Sequence, residues 1–227
     1  MNVSNNDLFT RLYSGAARGL AGKSAKVYEE LVLRLIYGKY KFGTIIPSAE
    51  IVEEFNISRA PLYAALNQLT FEGYIEITPQ VGSRVISPTE QQIWDFFQMF
   101  ALIEKQMARY AAARRSKEDA EAISKICRMV TDVSQPLDAP DEEYIDIVDI
   151  YHMAIRKAAH STLEVRRVSG YFRFAAFLLM NGWPKDFVEV RDNSNLHRPR
   201  VTEAIIEGDV EKAGNAVGDY IRYRFVG

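Results

Sequence analysis

The sequence predicts a mainly α protein in two parts: three helices and a β-hairpin first, then an antiparallel bundle of six helices. Three observations carry this. A short helical segment closing at Phe55 and another opening at Ser58 leave only Asn56 and Ile57 between them, so the two must cross sharply, as in a helix-turn-helix. Tyr74-Ile75-Glu76-Ile77 alternates as a strand does, and Arg84-Val85-Ile86 resumes after the turn chemistry of Thr78-Pro79-Gln80-Val81-Gly82-Ser83, completing an N-terminal winged helix-turn-helix. Beyond Ser87-Pro88 every segment has helical spacing and short links, which implies an antiparallel bundle. The boundaries expected are residues 1–22 for a flexible arm, 23–87 for the winged helix-turn-helix and 88–227 for the all-helical part.

Taken in order, the arm is polar and Gly/Ala-rich without a sustained period. From Ser24 to about Tyr37, Val27, Leu31 and Leu35 with Tyr28, Val32 and Ile36 mark a first helix, ended by Gly38. Lys39 to Pro47 is an extended connector with Gly and Pro punctuation. Ser48 is placed to cap a second helix whose Glu50, Glu53 and Glu54 favour its positive end, and Asn56 is suited to a left-handed terminator. Ser58 is placed to cap the third helix, with Pro61 in its first turn, where a missing N–H costs little. Leu62, Leu66 and Leu69 give that helix an apolar face; Arg59, Tyr63, Asn67 and Thr70 give it a polar one. Such a face also fits an ordinary surface helix, but its neighbours make it a major-groove reading helix.

In the second part, Thr89-Glu90-Gln91-Gln92 has the form of a capping box. It opens a helix to about Arg115 with Ile93, Phe97, Phe100, Met107 and Tyr110 on one side. Ser116–Val133, Asp141 to about Ala159, Leu163–Met180, Lys185–Glu207 (bent or broken at Pro199) and Asp209–Phe225 are the remaining five helices. A loop runs from Gln135 to Pro140.

Composition narrows the function classes. Hydrophobic residues are 48% and charged residues 26%, a soluble globular balance. The longest uninterrupted apolar run, Phe174 to Met180, is too short to span a bilayer, and the first twenty residues lack a signal-peptide core. One cysteine, Cys127, excludes a disulfide framework and fits a packed thiol in a reducing, cytoplasmic setting. The net charge of −2 argues weakly against a nucleic-acid partner. Its distribution softens that: residues 1–86 hold nine Lys/Arg against eight Asp/Glu, and in the first 26 residues Arg11, Arg18, Lys23 and Lys26 face only Asp7.

These residues resemble the GntR family of bacterial repressors, in its FadR-like branch with an FCD-type effector domain. Gly43-Thr44-Ile45-Ile46-Pro47-Ser48 resembles the family's connector. Ile57-Ser58-Arg59-Ala60-Pro61-Leu62 with Ala65-Leu66 and Leu69 resembles its Val-Ser-Arg-Thr-Pro-Val…Ala-Leu…Leu signature. Glu72-Gly73-Tyr74-Ile75 and Gly82-Ser83-Arg84-Val85 follow its Glu-Gly-Leu-Val and Arg-Gly-x-x-Val patterns more loosely. In the second part the likeness rests on helix count, Tyr151-His152 and Glu207-Gly208-Asp209. The resemblance implies a cytoplasmic homodimeric regulator rather than an enzyme: it binds a double-stranded DNA operator through the winged helix and a small organic acid through residues 88–227, which also dimerise. It further implies a repressor that the acid releases.

Site residues carry over position by position. Tyr63 stands where the family has a second Arg, and a phenol cannot fork onto guanine as Arg does. Arg59 is therefore the expected base reader, with Ser48, Ser58 and Tyr63 on phosphates and Asn67 on the same face. Gly82 would let the wing approach the backbone and Arg84 would supply charge, although Arg84 fits a solvated hairpin arginine equally well. In metal-binding FCD domains one Asp and three His hold a divalent ion; here those places fall on Val148, His152, Arg198 and Tyr220. Asp149 and His197 sit one residue off register, which turns a helical side chain by about a third of a circle. The expectation is therefore no metal and no other cofactor, but an anionic effector held by Arg198, His152 and Tyr220, with Asp149 and His197 beside them. The family's helix-one Arg falls on Phe100. His152 and His197 each also fit a hydrogen-bonded core histidine. Two other classes stay open: a metal-dependent hydrolase built on Asp149, His152 and His197, which lacks any His-Glu-x-x-His spacing, and a winged-helix module that binds only protein.

Overall fold

The structure is a computed structural model and describes residues 19–134, 137, 141–182 and 187–226. Most of the arm and nearly all of the loop from Gln135 to Pro140 lie outside the described residues. The chain divides into two units: Met1–Thr89 together with Ala176–Trp183, and Glu90–Ala175 together with Pro184–Gly227.

In the first unit, α1 (Gly22–Ile36) buries Val27, Tyr28, Leu31, Val32, Leu35 and Ile36, the i, i+4, i+8 set the sequence marks. It starts two residues before Ser24, from an extended Ala21, and its chain reverses at Gly38, whose φ of 68° favours glycine. α2 (Ser48–Glu54) and α3 (Arg59–Phe71) follow, and Asn56 takes the left-handed conformation between them at φ 46°. Tyr28 donates to Glu72 at 2.5 Å and Arg34 pairs with Glu54, tying α1 to the end of α3 and to α2.

Both expected caps change. Pro47, not Ser48, precedes α2, because the Ser48 N–H already closes a turn onto the Ile46 carbonyl at 2.8 Å. Ser58 does hold the extended N-cap position of α3, but its hydroxyl makes no capping bond. The wing is β1 (Ile75–Thr78) paired antiparallel with β2 (Gly82–Val85), Ile75 opposite Val85 and Thr78 opposite Gly82. The connector adds a third edge: Ile45 bridges Arg84, with Ile46 N–H to Ser83 O at 2.8 Å and Val85 N–H to Thr44 O at 2.9 Å.

This unit also takes in the far end of a later helix, α7 (Thr162–Gly182). Phe177 is fully buried edge-on to Tyr74 and Phe42, at 5.2 and 5.5 Å between ring centres. Asn181 donates to the Leu35 carbonyl at 3.0 Å, one of the last of α1, and Lys41 to that of Met180 at 3.1 Å. The apolar run Phe174–Met180, assigned from sequence wholly to the bundle, is thus divided between the two cores.

The second unit consists of α4 (Glu90–Arg114), α5 (Lys117–Ser134), α6 (Glu142–Ala158), α7 as far as Ala175, α8 (Phe187–Glu207) and α9 (Val210–Val226). Ser116 and Asp119 form a reciprocal capping box at the start of α5 (3.0 and 3.1 Å), and the Asp141 carboxylate caps α6 by accepting the Tyr144 N–H at 2.8 Å. α8 runs through Pro199 unbroken. Cys127 is buried and free of disulfide. No helix among the described residues is long and apolar enough to cross a membrane.

Candidate nucleic-acid interface and effector site

Arg59, Tyr63 and Asn67 lie four residues apart, so one face of α3 presents all three. All are exposed, Tyr63 by 53%, while Leu62, Ala65, Leu66 and Leu69 on the opposite face are buried. Ser58 is exposed at the positive end of the same helix with its hydroxyl free of any cap, so its backbone amides and side chain suit an anionic oxygen. Thr70 shares this face, but its hydroxyl turns back onto the Leu66 carbonyl at 2.9 Å. Ser48 is half-buried at the start of α2.

The wing differs in detail from expectation. Gly82 has φ 107°, which an L side chain rarely adopts, and a Cβ there would meet nothing within 4 Å, so conformation rather than crowding demands glycine. Arg84 is half-buried, and its Nη1 donates to the Gly43 carbonyl at 2.7 Å, pinning the connector to the hairpin. The exposed wing surface is Ile77, Val81 and neighbouring polar residues.

In the bundle, the structure brings together His152 of α6, Arg198 of α8 and Tyr220 of α9, as the sequence suggested. The His152 ring lies 6.1 Å from that of Tyr220, and Arg198 Nη2 reaches the Tyr220 hydroxyl at 3.5 Å. Arg198 is the largest fully buried side chain described, with its guanidinium between the rings of Tyr151 and Tyr220 (5.9 and 5.8 Å). Nη1 donates to Asn195 at 2.9 Å, and Nε has no partner. None of the ion pairs among the described residues involves Arg198. Burial works against its charge, but the surrounding oxygens of Tyr220, Tyr144 and Tyr151 hold its pKa above the ordinary value.

Sequence reasoning missed the carboxylate that completes the neighbourhood. Glu104 of α4 is buried and bonded to His152 Nδ1 at 2.8 Å and to Arg156 at 3.4 Å; Arg156 reaches Asp149 at 3.4 Å. A lone carboxylate at helical spacing within the apolar arc Phe97, Phe100, Met107 and Ala111 was the signal. Burial raises the Glu104 pKa, but the bond to His152 and the Arg156 charge outweigh it and hold the group below the usual carboxylate range.

Asp149 faces this chain of charges rather than Arg198, and its Oδ2 has no partner. Burial pushes its carboxyl up to about 6, against the pull of Arg156 and Arg173. His197, one residue from Arg198, lies on a different face of α8; partial burial and Arg200 lower its pKa and Asp219 opposes them. Phe100 packs with Phe97 and Phe172 at about 6 Å. At the four places where the resemblance implied metal ligands stand an aliphatic residue, an imidazole bonded to Glu104, a guanidinium and a phenol. Among the described residues no three His, Cys, Asp or Glu side chains are grouped so as to hold a metal ion.

Residues 23–85 match the model for bacterial regulatory proteins of the gntR family, and residues 95–223 match the FCD domain. The gluconate operon transcriptional repressor of Bacillus subtilis (strain 168) is 26% identical over 196 residues, covering 82% of this chain and 78% of that protein. The HTH-type transcriptional repressor GlaR of Escherichia coli (strain K12) is 24% identical and covers 86% of this chain and 90% of its own length. Among solved structures, E. coli McbR/YncC superposes with a TM-score of 0.73 at 14% identity, covering 90% and 95% of the two chains, a likeness of fold alone.

Proposed function

The chain belongs to the GntR family of bacterial regulatory proteins, with an FCD domain behind its helix-turn-helix; it is a ligand-responsive DNA-binding transcription regulator and not an enzyme, and from that premise we propose how it is controlled. It acts as a homodimeric repressor in the cytoplasm, one winged helix on each half-site of a near-palindromic operator, and a small organic anion bound in the bundle releases it. Arg59 reads base edges; Ser58, Tyr63 and the start of α2 at Ser48 hold phosphates; Asn67 extends the same face; and the wing contributes the Gly82 backbone.

The observation that carries the effector assignment is the Arg198 guanidinium. It is fully buried, has no carboxylate partner among the described residues and keeps one N–H unpaired. A buried cation without a counter-ion is costly, so the site is suited to an anion that arrives with the ligand. Nη1 is committed to Asn195, while Nε is free and Nη2 holds only a long contact to Tyr220. That is the side-on edge on which a guanidinium takes a carboxylate with two parallel bonds. His152 and Tyr220 line the same place, whereas Asp149 tunes it through Arg156 and Glu104. No metal is required, because a fixed cation already stands where a divalent ion would sit, and purified protein should carry no stoichiometric metal by elemental analysis.

The decisive measurement is isothermal titration of wild type and Arg198→Ala with an organic acid that binds the wild type. Loss of at least two orders of magnitude in affinity supports the assignment; unchanged affinity removes it. DNA release by the same acid in wild type, and not in the variant, links the site to repression.

A further inference from the structure

The outward side of α3 has a definite composition. Ala60, Ala64, Asn67 and Phe71 follow one another at i, i+4, i+7 and i+11, a single stripe opposite the buried Leu62, Ala65, Leu66 and Leu69. Ala60, Asn67 and Phe71 are exposed, Phe71 by 86%, and Ala64 is half-buried. Asn67 is the one side chain of the stripe that can hydrogen-bond. Its polar neighbours on the last turn are committed locally: Gln68 donates to Glu72 at 2.7 Å and the Thr70 hydroxyl to the Leu66 carbonyl at 2.9 Å. No hydrogen bond engages the Asn67 carboxamide among the described residues. Asn is also a poor helix former, and a phenyl ring left in water gains nothing for the fold. Both residues break a local rule on the side of α3 that faces away from its own core, which is where a second molecule would repay them.

We propose that Asn67 is a second base reader, specific for adenine, so that each operator half-site carries an A·T pair at a fixed distance from the pair read by Arg59. This rests on the assignment of α3 to the major groove and adds a base to it. A carboxamide offers one donor and one acceptor side by side, and adenine presents the matching pair there, the N7 acceptor and the N6 amino donor, so two parallel bonds form. The flanking methyl of Ala64 and ring of Phe71 suit the C5 methyl of the paired thymine, which a G·C pair lacks. The distance follows from helix geometry. From Arg59 to Asn67, α3 rises about 12 Å at ~1.5 Å per residue. With base pairs stacked every ~3.4 Å, the two positions read lie about three to four base pairs apart.

The test selects a pool of duplexes with a random central segment on the full-length protein and sequences what is bound. Wild type should enrich a half-site with a G·C pair and, about three to four base pairs away, an A·T pair. Asn67→Ala should keep the first and lose about tenfold of the preference at the second, and Arg59→Ala should do the reverse. On the selected duplex, replacing that adenine by 7-deazaadenine removes only the N7 acceptor; it should weaken wild type about fivefold and leave Asn67→Ala unaffected. Because Asn67 is exposed, Asn67→Ala should keep the wild-type Tm; if it does not, the deaza substitution read on wild type alone decides. A G·C pair without an A·T pair at that distance, an A·T preference that Asn67→Ala retains, or indifference of wild type to the deaza base overturns the inference and leaves the Arg59 reading standing. Enrichment of no motif by wild type removes both.

Discussion

At the scale of single residues, a side chain's neighbours decide its role more than its type does. Arg59 and Arg84 are both arginines of the winged helix, yet one is exposed on α3 and the other is half-buried with its Nη1 on the Gly43 carbonyl. Arg59→Ala should therefore weaken operator binding by about 1–3 kcal/mol per half-site and relax base preference, whereas Arg84→Ala should act through wing stability; gel-shift titration against operator and scrambled DNA separates the two. Asp149 offers a second prediction, with a definite sign. Its pKa rises from about 3.9 unfolded to about 6 folded, so between those values the folded state binds more protons. Its contribution is present below pH 4, declines as pH rises through 6, and above that amounts to a penalty on the order of 2–3 kcal/mol. Asp149→Asn escapes the titration, so its Tm relative to wild type should climb by several degrees from pH 5 to pH 7.5. A constant difference across that range would show that burial does not raise this carboxyl.

At the scale of elements, periodicity located the helices, and packing decided which core each one serves. α1 to α3, the hairpin and the six later helices were all legible, because burial of one face leaves a 3.6- or 2-residue rhythm in the sequence. Capping was legible where a carboxylate follows the cap, as in Ser116 with Asp119, and misleading at Ser48, where the preceding Pro47 fixes the turn one residue earlier. The division of α7 left no such rhythm. A run of apolar residues reads the same whichever core it enters, and only the fold shows Phe177 between Tyr74 and Phe42. Phe177→Ala should cost the first unit roughly 3–5 kcal/mol, and Asn181→Ala, which removes one of the two hydrogen bonds to the Leu35 carbonyl and leaves that of the Gly38 N–H, about 1 kcal/mol. Urea unfolding followed by near-ultraviolet circular dichroism would register both, and a winged-helix fragment ending at residue 88 should be less stable than the same unit in the full chain.

At the scale of the whole molecule, a regulator with one reading helix per chain needs two copies to specify a palindrome. Light scattering at micromolar concentration should give twice the chain mass of 25.8 kDa; a monomer bound to a single half-site would remove the dimeric reading. A saturating effector should stabilise the fold by about 2.7 kcal/mol at one hundred times its Kd, because it binds the native state alone. By itself the sequence determined the order of elements, the exposed Arg59-Tyr63-Asn67 face and the family, since these follow from local spacing and from motif residues close together in the chain. It also nominated His152, Arg198 and Tyr220, by their places in a resemblance. What only the tertiary structure decided was the charge balance around them. Glu104 pairs with His152 and Arg156, Arg156 pairs also with Asp149, and Arg198 is left buried without a carboxylate partner among the described residues, an outcome set by which helix faces meet across long stretches of chain and written in no local pattern.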